Sequence, residues 1–195
     1  MSVSRRTTCI RLMVAVTVAA TGWVGVSVVA HADPTSDQAT TPTMIILDAS
    51  GSMKNDDAPG PRIDAAKDAV RELVSGLPAG AQVGLMVYGT GTGSAKADKA
   101  AGCKDVKTFV PVGPIDKTSF LATVDGIEAS GYTPIGAVLR EAANQLPQEG
   151  PRSIVLVSDG QDTCSPPPPC EVAKEIAADG LELTVHTVGF KVDKD

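Results

Sequence analysis

Thr43-Met44-Ile45-Ile46-Leu47-Asp48-Ala49-Ser50-Gly51-Ser52 decides how the rest of the chain is read. Thr43 to Leu47 carries no charge and is too short for a helix, which suits a strand buried on both faces. Asp48 ends it abruptly. The turn that follows alternates one carboxylate with two hydroxyls, at Asp48, Ser50 and Ser52, and Gly51 permits the tight backbone that points all three oxygens inward.

Downstream, the hydrophobic period changes. Ile63, Ala66, Val70, Leu73 and Val74 share one helical face, Asp64, Lys67, Asp68 and Arg71 mostly lie elsewhere, and Gly76 and Pro78 stop the helix. Gln82 to Tyr88 reads as a second buried strand, and Val106 to Val110 as a shorter one bounded by Pro111 and Gly113. Ile115 to Ile127 is a predicted helix. Pro134 to Leu146 repeats the helical stripe through Ile135, Val138, Leu139, Ala142 and Leu146, with Pro134 in the first turn, where no amide donor is needed. Ser153 to Ser158 is an apolar strand, Glu171 to Asp179 a short helix closed by Gly180, and Glu182 to Val188 a last strand rich in β-branched residues. Strands alternating with helices predict an α/β fold, a doubly wound and mostly parallel sheet with helices on both faces. In such sheets ligands gather beyond the carboxyl ends of the strands.

Upstream, Met1 to Arg11 carries Arg5, Arg6 and Arg11 and no acid, Leu12 to Val29 is almost purely apolar, and Ala30-His31-Ala32 follows. That order reads as an export signal over 1–32, cleaved after Ala32. The competing reading is a retained anchor, because the apolar run is nearly long enough to cross a bilayer. Residues 33–42 lack an apolar period and read as an exposed leader, leaving one domain over 43–195. The expected product is secreted or held at the cell surface, with no membrane span after cleavage.

With 43% apolar and 21% charged residues, the 195-residue chain suits one well-buried domain. Its 17 basic and 23 acidic residues give a net charge of -6, and losing the signal removes only basic ones. The resulting field repels nucleic acid and anionic lipid. Aromatics at 3% leave few base-stacking surfaces, so no nucleic-acid partner is expected.

Three loops fall at the carboxyl edge of the predicted sheet: Asp48 to Ser52, Gly131-Tyr132-Thr133-Pro134, and Ser158-Asp159-Gly160. Asp48, Ser50, Ser52, Thr133 and Asp159 offer oxygen and no sulfur or imidazole, which is the donor set of a hard dication such as Mg2+. Only two of the five are charged, so the cation stays electrophilic, and an Asp or Glu of a partner completes its shell. Each piece also has a plain reading: a turn or helix cap for Asp48 to Ser52, an N-cap for Thr133, an ordinary turn for Asp159-Gly160. Asp56 and Asp57 read as solvated charges, and Tyr132 as a packed loop aromatic or a ligand contact.

Asp48-Ala49-Ser50-Gly51-Ser52-Met53, Thr133-Pro134-Ile135-Gly136 and Val157-Ser158-Asp159-Gly160 together resemble the metal-ion-dependent adhesion site of von Willebrand factor type A domains, in family order. The resemblance covers about Thr43 to Val192. It implies a Rossmann-like sheet and Mg2+ or Mn2+ held by Asp48, Ser50, Ser52, Thr133 and Asp159, directly or through water. It further implies metal-dependent binding of an extracellular or cell-surface protein ligand offering an acidic residue. It also implies a helix, a strand and a closing helix past Val188, whereas the sequence ends at Asp195, so the domain is expected to lack its last elements.

Enzyme signatures fail. No Gly-x-Ser-x-Gly elbow occurs, and once His31 leaves with the signal, His186 in a predicted strand is the remaining histidine. Gly89-Thr90-Gly91-Thr92-Gly93-Ser94 lacks the Gly-Lys-Ser/Thr ending of a phosphate cradle and reads as a flexible loop. Two alternatives stay open: a magnesium-dependent phosphoryl-transfer enzyme using Asp48, although Ser50 stands where such enzymes place a second Asp, and a structural module with a vestigial metal site. Among the cysteines, Cys9 leaves with the signal, and Cys164 and Cys170 flank a run of prolines and are expected to pair in an exported domain. Cys103 then requires a partner outside this chain.

Overall fold

The computed structural model describes residues 41–160, 162–178 and 183–189. The chain divides into two units, Met1–Asp37 and Gln38–Asp195, and every described residue lies in the second. The expected signal over 1–32, most of the expected leader and the Gly180 stop lie outside the described residues.

Strands β1 (Thr43–Asp48), β2 (Gln82–Tyr88), β3 (Val106–Pro114), β4 (Arg152–Ser158) and β5 (Leu183–Gly189) form a sheet in the order β3-β2-β1-β4-β5. β1 pairs in parallel with β2 and with β4, and β4 pairs in parallel with β5. Helices α1 (Arg62–Gly76), α2 (Lys99–Gly102), α3 (Lys117–Asp125), α4 (Ile135–Gln145) and α5 (Pro169–Ala178) lie between the strands along the chain. The predicted α/β class and mostly parallel sheet are present. Among the described residues no helix is long and apolar enough to cross a membrane.

Burial on both faces explains the unbroken apolar run of β1. Successive strand side chains point to opposite faces. Ile45 and Leu47 join Val83, Leu85 and Val87 of β2 in a core closed by Ala66, Val70 and Val74 of α1 and Phe120 and Val124 of α3. Met44 and Ile46 join Met86, Ile154 and Leu156 in a second core, closed by Val138 and Ala142 of α4 and Val172 of α5. A polar residue at any of these positions would be buried without a partner, at a cost of roughly 1–3 kcal/mol. Leu73, expected on the α1 core face, sits at its margin instead, 37% exposed beside an apolar groove with Leu77, Val155 and Val157.

β3 departs from the sequence reading. It is antiparallel to β2, extends to Pro114, and is mostly exposed or half-buried. As an edge strand it tolerates Pro111, which has no amide to donate to a neighbour. α3 is shorter than expected, because Asp116 caps it by accepting from the Ser119 amide at 2.7 Å.

Candidate metal centre

The strand order reverses between β1 and β4. From β1 the chain winds outward to β2 and β3, then returns to build β4 and β5 on the other side. The crevice at such a switch point, beyond the carboxyl ends, is the ligand position of open α/β sheets. Asp48 is the last residue of β1, and Asp159 directly follows β4.

Asp48 forms the floor. Its Oδ1 accepts from the Ser50 amide at 2.7 Å and its Oδ2 from the Ser158 hydroxyl at 2.6 Å. The Tyr88 hydroxyl donates in turn to Ser158 Oγ at 3.2 Å. Burial pushes the Asp48 carboxyl above the usual carboxylate range, opposed by the hydrogen bonds from Ser158 and Ser50. Burial, and then the charge of Asp48, push the Tyr88 hydroxyl well above its ordinary value. Tyr88 therefore stays a neutral donor.

The hydroxyls form the next layer. Ser50 Oγ and Ser52 Oγ lie 3.1 Å apart, and the Ser52 hydroxyl donates to Asp159 Oδ1 at 3.0 Å. Asp159 Oδ2 accepts from Arg62 Nη1 at 2.5 Å, while Arg62 Nε and Nη2 each bond Asp57 at 2.7 Å. Asp57 is thus an ion-pair partner and not the solvated charge expected of it. The fork of a guanidinium matches two oxygens of one carboxylate, and a linear reading gives no cue that the first residue of α1 turns back to this edge.

Thr133 reaches the same edge through the backbone. Gly51 donates to the Gly131 carbonyl at 2.9 Å, and Ser130 and Gly131 donate to the Gly89 carbonyl at 3.0 and 2.7 Å. Gly89 has φ of 79°, and a Cβ there would stand 2.8 Å from Ala49 O and Ser50 N, so only glycine allows this approach. Thr133 itself is buried, its amide bonded to Thr163 Oγ1 at 2.9 Å and its carbonyl to the Thr163 amide at 3.0 Å. Pro134 lies just before α4 instead of in its first turn. The structure therefore links Asp48, Ser50, Ser52 and Asp159 in one hydrogen-bonded cluster, while Thr133 follows two residues after Gly131, which bonds the Ser50–Gly51 turn, and makes its own bonds to Thr163.

The rim corrects the expected disulfide. The first half of the 89–94 loop is tied to the loop after α2: the Gly89 amide bonds the Asp105 carbonyl at 3.3 Å and the Gly91 amide the buried Asp105 carboxylate at 2.6 Å. Cys164 pairs with Cys103, across 61 residues, while Cys170 is a free and exposed thiol. The expected Cys164–Cys170 bridge is wrong because α5 begins at Pro169 and carries Cys170 into its first turn, whereas the loop after β4 meets the loop after α2. Cys103 needs no outside partner. Asp162, which the sequence reading passed over, bonds the Gly136 amide at the start of α4 at 3.0 Å and the Cys164 amide at 2.6 Å. Tyr132 packs in the loop, its hydroxyl on the Ala95 carbonyl at 3.0 Å.

Among the described residues no three His, Cys, Asp or Glu side chains converge as ligands. Any cation here rests on two carboxylates and on hydroxyls. Residues 43–161 match the family model of the von Willebrand factor type A domain. The chain belongs to this family. Von Willebrand factor type A domains commonly mediate contacts between proteins. The chain is 31% identical over 164 residues to the uncharacterized protein YwmC of Bacillus subtilis (strain 168), covering 82% of this chain and 71% of YwmC. Its fold matches the crystal structure of an aerotolerance-related membrane protein from Bacteroides fragilis with a TM-score of 0.58 and 27% identity, over 76% of this chain and 67% of that one. The manganese-loaded TRAP protein of Plasmodium vivax shares the fold, with a TM-score of 0.57 and 16% identity over 80% of this chain and 59% of its own.

Proposed function

We propose that this von Willebrand factor type A domain binds a protein ligand outside the membrane through a divalent cation, Mg2+ or Mn2+. Asp48, Ser50, Ser52, Thr133 and Asp159 hold the ion, and an acidic residue of the ligand completes its shell. Export through the signal over 1–32 delivers the domain to the cell surface or beyond. The oxygen spacing carries this reading. Mg–O distances of about 2.1 Å put neighbouring vertices of an octahedron about 3.0 Å apart. The separations from Ser50 Oγ to Ser52 Oγ, and from Ser52 Oγ to Asp159 Oδ1, are 3.1 and 3.0 Å. That agreement supports the reading, because a small cation can replace these hydrogen bonds with little movement of the oxygens.

The bound ion supplies an electrophilic vertex for the partner's carboxylate. The protein supplies a floor, Asp48, fixed by Ser50 and Ser158, and a rim fixed by the disulfide and Asp162. Phosphoryl transfer by Asp48 is disfavoured, because the fully buried carboxylate does not present an oxygen to a phosphoester. A nucleophile needs a free oxygen facing substrate. The domain is accordingly read as a binding module without turnover.

Calorimetric titration with Mg2+ and Mn2+ tests the site. Wild type gives saturable heat with one ion per chain, and Asp48→Ala and Ser52→Ala each weaken binding at least tenfold. Ser52 is exposed, so its replacement leaves the fold intact. Unchanged affinity in Ser52→Ala, with circular dichroism unaltered, refutes the assignment.

A further inference from the structure

The geometry points to Arg62 as the residue that makes this site select Mg2+ or Mn2+ over Ca2+, by taking away the second oxygen of Asp159. This inference rests on the cation site proposed above. Ca2+ accepts six to eight oxygens and favours carboxylates that bind through both oxygens, whereas Mg2+ requires an octahedron of single oxygens. Asp159 Oδ2 is engaged by Arg62 Nη1 at 2.5 Å, so Oδ1 alone faces the hydroxyls. The guanidinium is in turn clamped by both Asp57 oxygens at 2.7 Å, and the Arg62 amide bonds the Asn55 carbonyl at 3.0 Å. Its side chain is 14% exposed and that of Asp159 is fully buried. An arginine guanidinium keeps its charge throughout the pH range of the experiment.

Asp48 is denied to chelation by the same logic. One of its oxygens takes the Ser50 amide and the other the Ser158 hydroxyl. Neither carboxylate of the cluster therefore offers a free pair of oxygens: Asp48 is held by the Ser50 amide and the Ser158 hydroxyl, and Asp159 by the Ser52 hydroxyl and Arg62. Substituting Arg62 releases the constraint on Asp159 without touching a proposed ligand. Losing a positive charge beside the site strengthens every dication alike, so absolute affinity does not test the idea. The ratio of affinities does.

Titration of Mg2+ and of Ca2+ into wild type, Arg62→Gln and Asp57→Asn supplies that ratio. Wild type binds Mg2+ at least tenfold more tightly than Ca2+. Arg62→Gln narrows the ratio at least tenfold, chiefly through tighter Ca2+ binding. Asp57→Asn leaves Asp159 and Arg62 in place but loosens the clamp, and narrows the ratio in the same direction by a smaller factor; it serves as the readout if Arg62→Gln misfolds. A ratio unchanged in the folded variants, with both ions still binding, overturns the role of Arg62 and leaves the cation site standing. Absence of heat with either ion in wild type overturns both.

Discussion

Replacing Cys103 by serine removes a cross-link whose worth follows from its span. The bond joins residues separated by 61 positions and encloses β3, α3, α4 and β4. Chain-entropy bookkeeping for a loop of that length gives about 4 kcal/mol of stabilisation, acting on the unfolded state. The bridge expected from sequence, Cys164 to Cys170, closes a loop worth only about 2 kcal/mol on the same scale. Urea unfolding followed by far-ultraviolet circular dichroism reads the difference. With a slope near 2 kcal/mol per molar urea, Cys103→Ser moves the midpoint down by about 2 M, while Cys170→Ser leaves it within about 0.3 M of wild type. Peptide mapping without reductant should recover Cys103 joined to Cys164. A midpoint lowered as much by Cys170→Ser as by Cys103→Ser, or a peptide joining Cys164 to Cys170, refutes the pairing.

Two further outcomes follow from single contacts. Gly89→Ala meets both a left-handed backbone and a Cβ 2.8 Å from Ala49 O; it lowers stability by more than the ~1–2 kcal/mol of the conformation alone and weakens Mg2+ binding. Gly80→Ala, with φ of 77° and nothing within 4 Å, shows the conformational cost alone; equal urea midpoints for the two variants count against the close approach. Asp116 has a carboxyl pKa held below 3.8 by the Ser119 amide, so its contribution is complete above 3.8 and fades as pH falls through the lowered value. The stability gap between wild type and Asp116→Ala is therefore wide at pH 7 and closes in acid; a gap that widens as pH falls contradicts the cap.

The sheet was legible because β1, β2 and β4 are covered on both faces, which forces apolar runs bounded by polar turns. The candidate oxygens could be placed at one edge for the same reason, since Asp48 ends a strand, Ser50, Ser52 and Asp159 follow strands, and Thr133 precedes a helix. The direction of β3 was not, because strand polarity is set by which neighbour is available and leaves no mark on local composition. Its half-exposed pattern marks only an edge. The Cys103–Cys164 and Arg62–Asp159 contacts escaped because they join residues 61 and 97 positions apart, and proximity in sequence favoured Cys170 as the partner of Cys164. Ser158 was quoted within a motif, yet its bond to Asp48 depends on β1 and β4 being neighbours.

Tyr88 has a consequence for how this domain is watched. The sequence holds two tyrosines and one tryptophan, and Trp23 stands in the segment read as a signal. In a product cleaved after Ala32, the indole is absent and the longest-wavelength aromatic absorption comes from two phenols, Tyr88 beneath the cluster and Tyr132 in the loop beside it. The protein thus carries its own pair of optical probes, and events in the crevice become visible without any added dye.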